Sequence, residues 1–247
     1  LEFRRVLFRS HVRYNEILTE ALDSGRYTRS NCWKALPTPC VDKIFLDQSI
    51  PLEAVEFFHI MAGRLLFKLK AYDNWQVLPR LDGIAGAGKS TILEFIKLMF
   101  SKQHVDVGIM NNVGRQKFAL QSLCYCRLFI IPDMDSNFTL PPTFFNELVS
   151  GGSIQMDLMF NGEGKPMEWD RPGIAAGNKP PKWPNAGGCA DRRFINWNFI
   201  RKPRVDVTFP ERLKVELPIW IYKIILAYFS KVDEIHAAHS RSEEHTS

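Results

Sequence analysis

A chain of 247 residues, 45% hydrophobic and 24% charged, has enough apolar side chain for one sizeable core, which excludes a disordered or fibrous chain. Its formal charge of +5 is too mild to argue for nucleic acid by itself, since a mixed solvated surface gives the same balance. The longest apolar stretch, near 217–229, is interrupted by Lys223 and falls short of a membrane span, and five scattered cysteines (Cys32, Cys40, Cys124, Cys126, Cys189) argue against a disulfide framework and for a reducing compartment.

The two ends read as copies of one oligonucleotide. Arg241 to Ser247, RSEEHTS, is a translation of AGATCGGAAGAGCACACGTCT, and the reverse complement of that stretch translates to RRVLFRS, the run from Arg4 to Ser10. Because it resembles a common sequencing adapter, residues 1–10 and 241–247 are set aside as artefact, and the chain is expected to be a fragment. Without these ends the charge falls to about +4.

Residues 11–48 are mixed and polar and read as a linker or the tail of a missing upstream domain. One domain is expected over 49–235, with 236–240 as a tail. Ser49 can cap a helix in which Pro51 occupies the first turn and Leu52, Val55, Phe58, Ala62 and Leu65 share a face. Trp75 to Leu81 is the expected strand before a glycine-rich loop, although Pro79 fits a central strand poorly. Lys89 to Phe100 is helical, with Ile92, Leu93, Ile96 and Met99 on one side. Val105 to Met110 alternates, and Leu128 to Ile131 is a strand buried on both faces. A helix over 143–150 stops at Gly151 and Gly152; a hairpin turning at NGEGK (161–165) and short strands at Ile174 to Ala176 and Ile195 to Phe199 follow. Strands alternating with helices after such a loop predict an α/β three-layer sandwich with a largely parallel central sheet, the P-loop NTPase architecture.

The loop itself, GIAGAGKS from Gly83 to Ser90, satisfies G-x-x-x-x-G-K-S between a strand and a helix. Gly83, Gly86 and Gly88 let backbone amides turn toward phosphate, Lys89 reaches the outer phosphates, Ser90 ligates magnesium, and Thr91 completes the nucleotide-binding set. The expected ligands are ATP and Mg2+. A second carboxylate is needed beside the metal, and LFIIPDMD supplies Asp133 for that role and Asp135 as a candidate for polarising water. Asn178, after the third buried strand, lies beside the terminal phosphate if its strand neighbours the one ending at Asp133. Arg192 and Arg193 precede the last strand, where a guanidinium can serve as a finger into a neighbouring subunit. Cys124-x-Cys126 lacks a second ligand pair and reads as structural thiols, and RKPR (201–204) reads as a solvated loop.

Taken in order, GIAGAGKST, IIPDMD, FNELVSGGSI, GIAAGNKPPKW and DRRFINWNF resemble a superfamily 3 helicase, and most closely the helicase part of primase-helicases of large DNA viruses of eukaryotes. The resemblance covers roughly residues 50–230. It implies an AAA+ type homo-hexameric ring that uses ATP to move on single-stranded or forked DNA. Each active site would be shared between subunits, at the site of viral or mobile-element replication in cytoplasm or nucleus and away from any membrane. Carried over by residue, it implies Lys89 and Ser90 on phosphate and magnesium, Asp133 as the metal-linked carboxylate, Asn178 as sensor, Arg193 as finger in preference to Arg192, and Lys165 as a DNA phosphate contact. Two other classes are compatible with the loop alone, a small-molecule kinase and a non-catalytic ATP-dependent assembly module.

Overall fold

The computed structural model describes residues 32–100, 106–110, 125–136, 140–156, 165–179 and 191–244, together with isolated positions outside these runs. Its strands are β1 (Leu78–Gly83), β2 (Val107–Ile109), β3 (Leu128–Ile131), β4 (Ser153–Met156), β5 (Lys165–Glu168), β6 (Gly173–Gly177) and β7 (Phe194–Phe199). Five of them form one parallel sheet in the order β2-β3-β6-β1-β7. β4 and β5 make a separate antiparallel pair, in register from Ser153 opposite Glu168 to Met156 opposite Lys165. The expected antiparallel pairing is therefore present, and of the expected turn at NGEGK (161–165) all but Lys165 lies outside the described residues.

Alternation along the strands distributes the core over the two sheet faces. Leu128 and Ile130 of β3, Leu81 of β1 and Trp197 and Phe199 of β7 share one cluster with α1 (Pro39–Leu46), α2 (Leu52–Arg64), α3 (Lys89–Lys97) and the long α6 (Leu217–Glu244). Phe129 and Ile131, with Leu78 and Ala175, turn to the other face and meet α4 (Pro142–Ser150) and Ile154 of β4. A parallel sheet covered on both faces explains why β3 and β6 are apolar at every position. α5 (Phe209–Val215) links β7 to α6. The backbones of α2 and α6 pass so closely at Gly63 that a Cβ there would stand 2.0 Å from the carbonyl oxygen of Ile224. Among the described residues no helix is long and apolar enough to cross a membrane.

Three expectations are corrected. Residues 33–46 do not form a linker: Val41 and Phe45 are fully buried in the same core as the sheet, because α1 turns an apolar stripe inward despite its polar surroundings. Ser49 does not cap α2, since its φ of 60° puts it in the left-handed region and Pro51 takes the N-cap position. β1 begins at Leu78, three residues later than Trp75, and runs to Gly83. Pro79 is accommodated at the strand's entrance: it faces Ile195 of β7, and pairing with β6 starts only at Arg80.

A buried polar network ties α1, α2 and α6 together. The Trp220 indole can only donate, so His59 accepts at Nδ1 (3.1 Å) and donates from Nε2 to Asp42 (2.8 Å). The Lys223 ammonium donates to the Thr38 hydroxyl at 2.8 Å and lies 3.5 Å from Asp42. Burial holds His59 below its ordinary pKa of 6.5, against the pull of Asp42. Burial pushes Asp42 up, yet the hydrogen bond from His59, the His59 and Lys223 charges and the Thr38 hydroxyl leave it below the usual carboxylate value. Neutral His59 therefore contributes stability that is complete above the unfolded-state pKa and is lost as the pH falls through the folded-state value. The thermal midpoint of the wild type is expected to fall more steeply than that of His59→Gln below about pH 6.5. Parallel pH profiles would contradict the network's protonation state.

Candidate active site

The carboxyl ends of β1, β3 and β6 open onto a cavity of about 480 Å³ bordered by loop residues 85–91, Pro132, Asp133, Gly177 and Asn178. Strand order produces this convergence: β1 lies between β6 and β7, β6 is flanked by β3, and ligands of open α/β sheets sit at such carboxyl-end crevices. Gly83, Gly86 and Gly88 all have positive φ (127°, 75° and 101°), conformations a side chain would strain, and a Cβ at Gly83 would stand 2.0 Å from the Phe199 carbonyl oxygen. Gly88 is the N-cap of α3, so the unpaired amides at that helix start face the loop.

Lys89 is the centre of the site. Only 8% exposed, it spends its three N–H donors on the carbonyls of Gly83 (2.7 Å) and Ile84 (2.6 Å) and on Asn178 Oδ1 (3.0 Å). Burial lowers its pKa from the ordinary 10.5, and the carboxylates of Asp82 and Asp133 oppose that shift. The sequence condition on Asn178 is met: β6 pairs with β3, with Ile131 opposite Ala175, and Asn178 then meets the lysine. Ser90 and Asp133 are both exposed on the cavity, and Thr91 borders it. Asp135 does not border it. Met134 is pinned by its amide to the Ala176 carbonyl (2.7 Å) with its side chain fully buried, and the chain carries Asp135 past the opening.

The two arginines lie elsewhere. Arg192 is exposed. Arg193 donates from Nε to Asn146 Oδ1 (2.7 Å) and from Nη1 to Gln76 Oε1 (2.8 Å), just before β7. β7 runs parallel to β1 with Phe194 opposite Leu78 and Phe199 opposite Gly83. Arg193 thus sits at the opposite end of the sheet from the loop, roughly 15 to 20 Å away at about 3.3 Å per strand residue. Lys165 opens β5; its side chain lies outside the described residues. Cys40 is a free thiol, Cys124 and Cys189 lie outside the described residues, and no cluster suited to a metal built from three or more His, Cys, Asp or Glu side chains occurs among the described residues.

No family model matches this chain. No curated protein matches it either. Among solved structures, it overlays the apo C-terminal region of NrS-1 with a TM-score of 0.57 at 11% identity, over 81% of this chain and 49% of that one. A second apo form, NrS-1 305–718, gives 0.56 at 12% identity over the same shares, 81% and 49%. The JCV helicase aligns at a TM-score of 0.43 and 13% identity over 87% of this chain and 61% of that one, too loose an overlay to argue from. The chain spans about half the length of the NrS-1 structures. The NrS-1 overlays bear out the expected α/β fold with its largely parallel sheet, and they show fold alone.

Sequence reasoning missed the charge pair beneath the loop. Arg80 and Asp82 are two residues apart on one strand face, a spacing that alternation alone could have flagged. Arg80 is 1% exposed, donates to Asp82 Oδ1 at 3.0 Å and lies over the Phe194 ring at 5.8 Å, while its Nε has no partner among the described residues. Asp82 also accepts the Gly83 amide at 2.9 Å, so the pair anchors the first residue of the loop. Removing one member leaves a buried charge uncompensated. Asp82→Asn is expected to cost about 3 kcal/mol in urea denaturation, and less than about 1 kcal/mol in an Arg80→Met background. Equal costs in both backgrounds would show that the pair does not couple.

Proposed function

We propose that this chain is the ATP-hydrolysing motor domain of a replicative DNA helicase, acting as a homo-hexameric ring on single-stranded or forked DNA of a virus or mobile element. The observation that supports it is an asymmetry: Lys89, Asn178 and Asp133 gather at one end of the sheet, and Arg193 is held at the other. An arginine so placed cannot serve its own loop, and in this reading it serves the loop of an adjacent copy.

In this reading Lys89 exchanges the Gly83 and Ile84 carbonyls for phosphate oxygens, which satisfy the same donors and match its charge. Released from Lys89, Asn178 can hold the attacking water in line with the terminal phosphorus. The P–O bond to the leaving diphosphate breaks as the new P–O bond forms, and Lys89 together with the neighbour's Arg193 balances the charge on the transferred group. The Ser90 hydroxyl and Asp133 carboxylate, both exposed on one cavity, fit the one or two protein ligands a magnesium ion takes beside phosphate and water. Bound there, the ion would supply charge neutralisation on the polyphosphate. Asp135 is kept as a proposal only for a rearranged strand end, because it lies off the cavity. Arg192, exposed beside Arg193, is the alternative finger. The β4–β5 hairpin with Lys165 is assigned to the DNA strand, where phosphate contacts give sequence-independent grip.

Mixing inactive variants tests the shared site. Lys89→Ala and Arg193→Ala are each expected to lose about a thousandfold in ATP turnover, and mixtures to regain part of it because some interfaces then carry both wild-type residues. Turnover should also rise with added single-stranded DNA. No recovery at any mixing ratio would support a self-contained site of the kinase kind, and turnover indifferent to DNA would support an assembly module.

A further inference from the structure

A guanidinium taken out of water brings a fixed, planar set of N–H donors that the surrounding protein has to match. Arg80, buried on the central strand β1, is matched only in part. Nη2 donates to Asp82 at 3.0 Å, Nη1 reaches Asn196 of β7 only at 3.5 Å, and Nε has no partner among the described residues. A buried ion pair adds little net stability over an apolar pair of the same shape, so stability alone does not account for this one.

Its contacts fall on elements from both ends of the sheet. Asp82 Oδ1, which pairs with Arg80, also accepts the Gly83 amide at 2.9 Å, the first residue of the phosphate loop. Asp82 stands opposite Gly177 of β6, where a Cβ would lie 3.1 Å from Arg80 Nη2, so the guanidinium also packs against the residue before Asn178. On its other side the guanidinium lies over the ring of Phe194, 5.8 Å from the centroid, and Phe194 directly follows Arg193. Phe194 packs on Phe145 of α4 with ring centroids 5.1 Å apart, while the preceding residue, Arg193, donates to Asn146 at 2.7 Å. Two consecutive residues at the start of β7 are thus clamped to two consecutive residues of α4, and Arg80 supports the aromatic half of the clamp from within the sheet.

Resting on the shared-site reading above, we propose that Arg80 is a positioning residue for Arg193: its stacking on Phe194 fixes the arginine-bearing segment of its own copy, and its bond to Asp82 ties that segment to the same copy's phosphate loop. Lysine separates the two halves of this role, because an ammonium keeps the charge opposite Asp82 but has no planar face to lay on a ring. ATP turnover in mixtures of two variants of the full chain tests it. One chain carries Lys89→Ala and gives only the arginine; the other carries Arg193→Ala and gives only the loop. Arg80→Lys is then placed in one chain or the other. In the arginine-giving chain it should lower the mixture's turnover about tenfold, and in the loop-giving chain less than about threefold. The loop-giving arm is also the control for folding, since a misfolded chain there turns over no ATP. Phe194→Leu in the arginine-giving chain should reproduce the loss, and adding Arg80→Lys to it should lower turnover little further, because one contact has then been removed twice. A loss in the loop-giving arm as large as in the other would make Arg80 a general structural residue and overturn the proposal. Unchanged turnover in the arginine-giving arm, or losses that multiply in the double variant, would overturn it as well. If the parent mixture, with Arg80 intact, regains no turnover, the shared site itself falls and the proposal with it.

Discussion

A lysine ammonium taken out of water has to find acceptors for all of its protons, and in this chain Lys89 finds them on two different strand ends. Two acceptors come from the exit of β1 and the third from Asn178 beyond β6, so the cation holds the loop and the neighbouring strand end in one arrangement. The rest of the site is arranged around that constraint. Positive φ at three glycines lets the loop carbonyls curl over the ammonium, the Arg80–Asp82 pair anchors the loop's first amide from below, and Asp133 and Asp82 offset the penalty of burying the charge. Gln48 fixes the outer side of the same loop from a part of the chain that looks, in composition, unrelated to it.

Much of this was legible before the fold was known, and for physical reasons. β3, buried on both faces, is a continuous apolar run, and α3 and α4 carry a glycine at one end, so their extents follow closely from pattern and cap chemistry. The loop was legible because its glycines and lysine meet requirements of backbone geometry and charge that few other sequences satisfy. What was not legible depends on contacts far apart in the chain. The role of residues 33–46 comes from Phe45 meeting Phe58 and Phe199 and from the Cys40 and Val41 amides donating to Glu216, partners distant in sequence, and a short amphipathic helix among polar neighbours carries little periodic signal. Gln48 has no local pattern at all, since its partners stand 39 and 153 residues away. Asp135, two residues from Asp133, does not border the cavity, and no sequence pattern marks that difference: Met134 between them is buried.

The parallel register of β1 and β7 separates the loop from the arginines. Because the two strands run the same way, the loop leaves at one end of the sheet and the arginines enter at the other. Among the described residues that border the cavity the positive charge is Lys89, already saturated, while Arg193 is occupied with Asn146 and Gln76 on the far side. In the function proposed above, this layout would couple hydrolysis to assembly, since the transition-state charge would be fully balanced only where two copies meet.

The dependence of specific ATP turnover on protein concentration tests that coupling most directly. If Arg193 of one copy completes the site of the next, turnover per chain should be near zero at dilutions where the ring dissociates and should climb steeply as chains associate. Turnover per chain that stays constant from the dilute monomer upward would contradict the account, because each chain would then hold a complete site of its own.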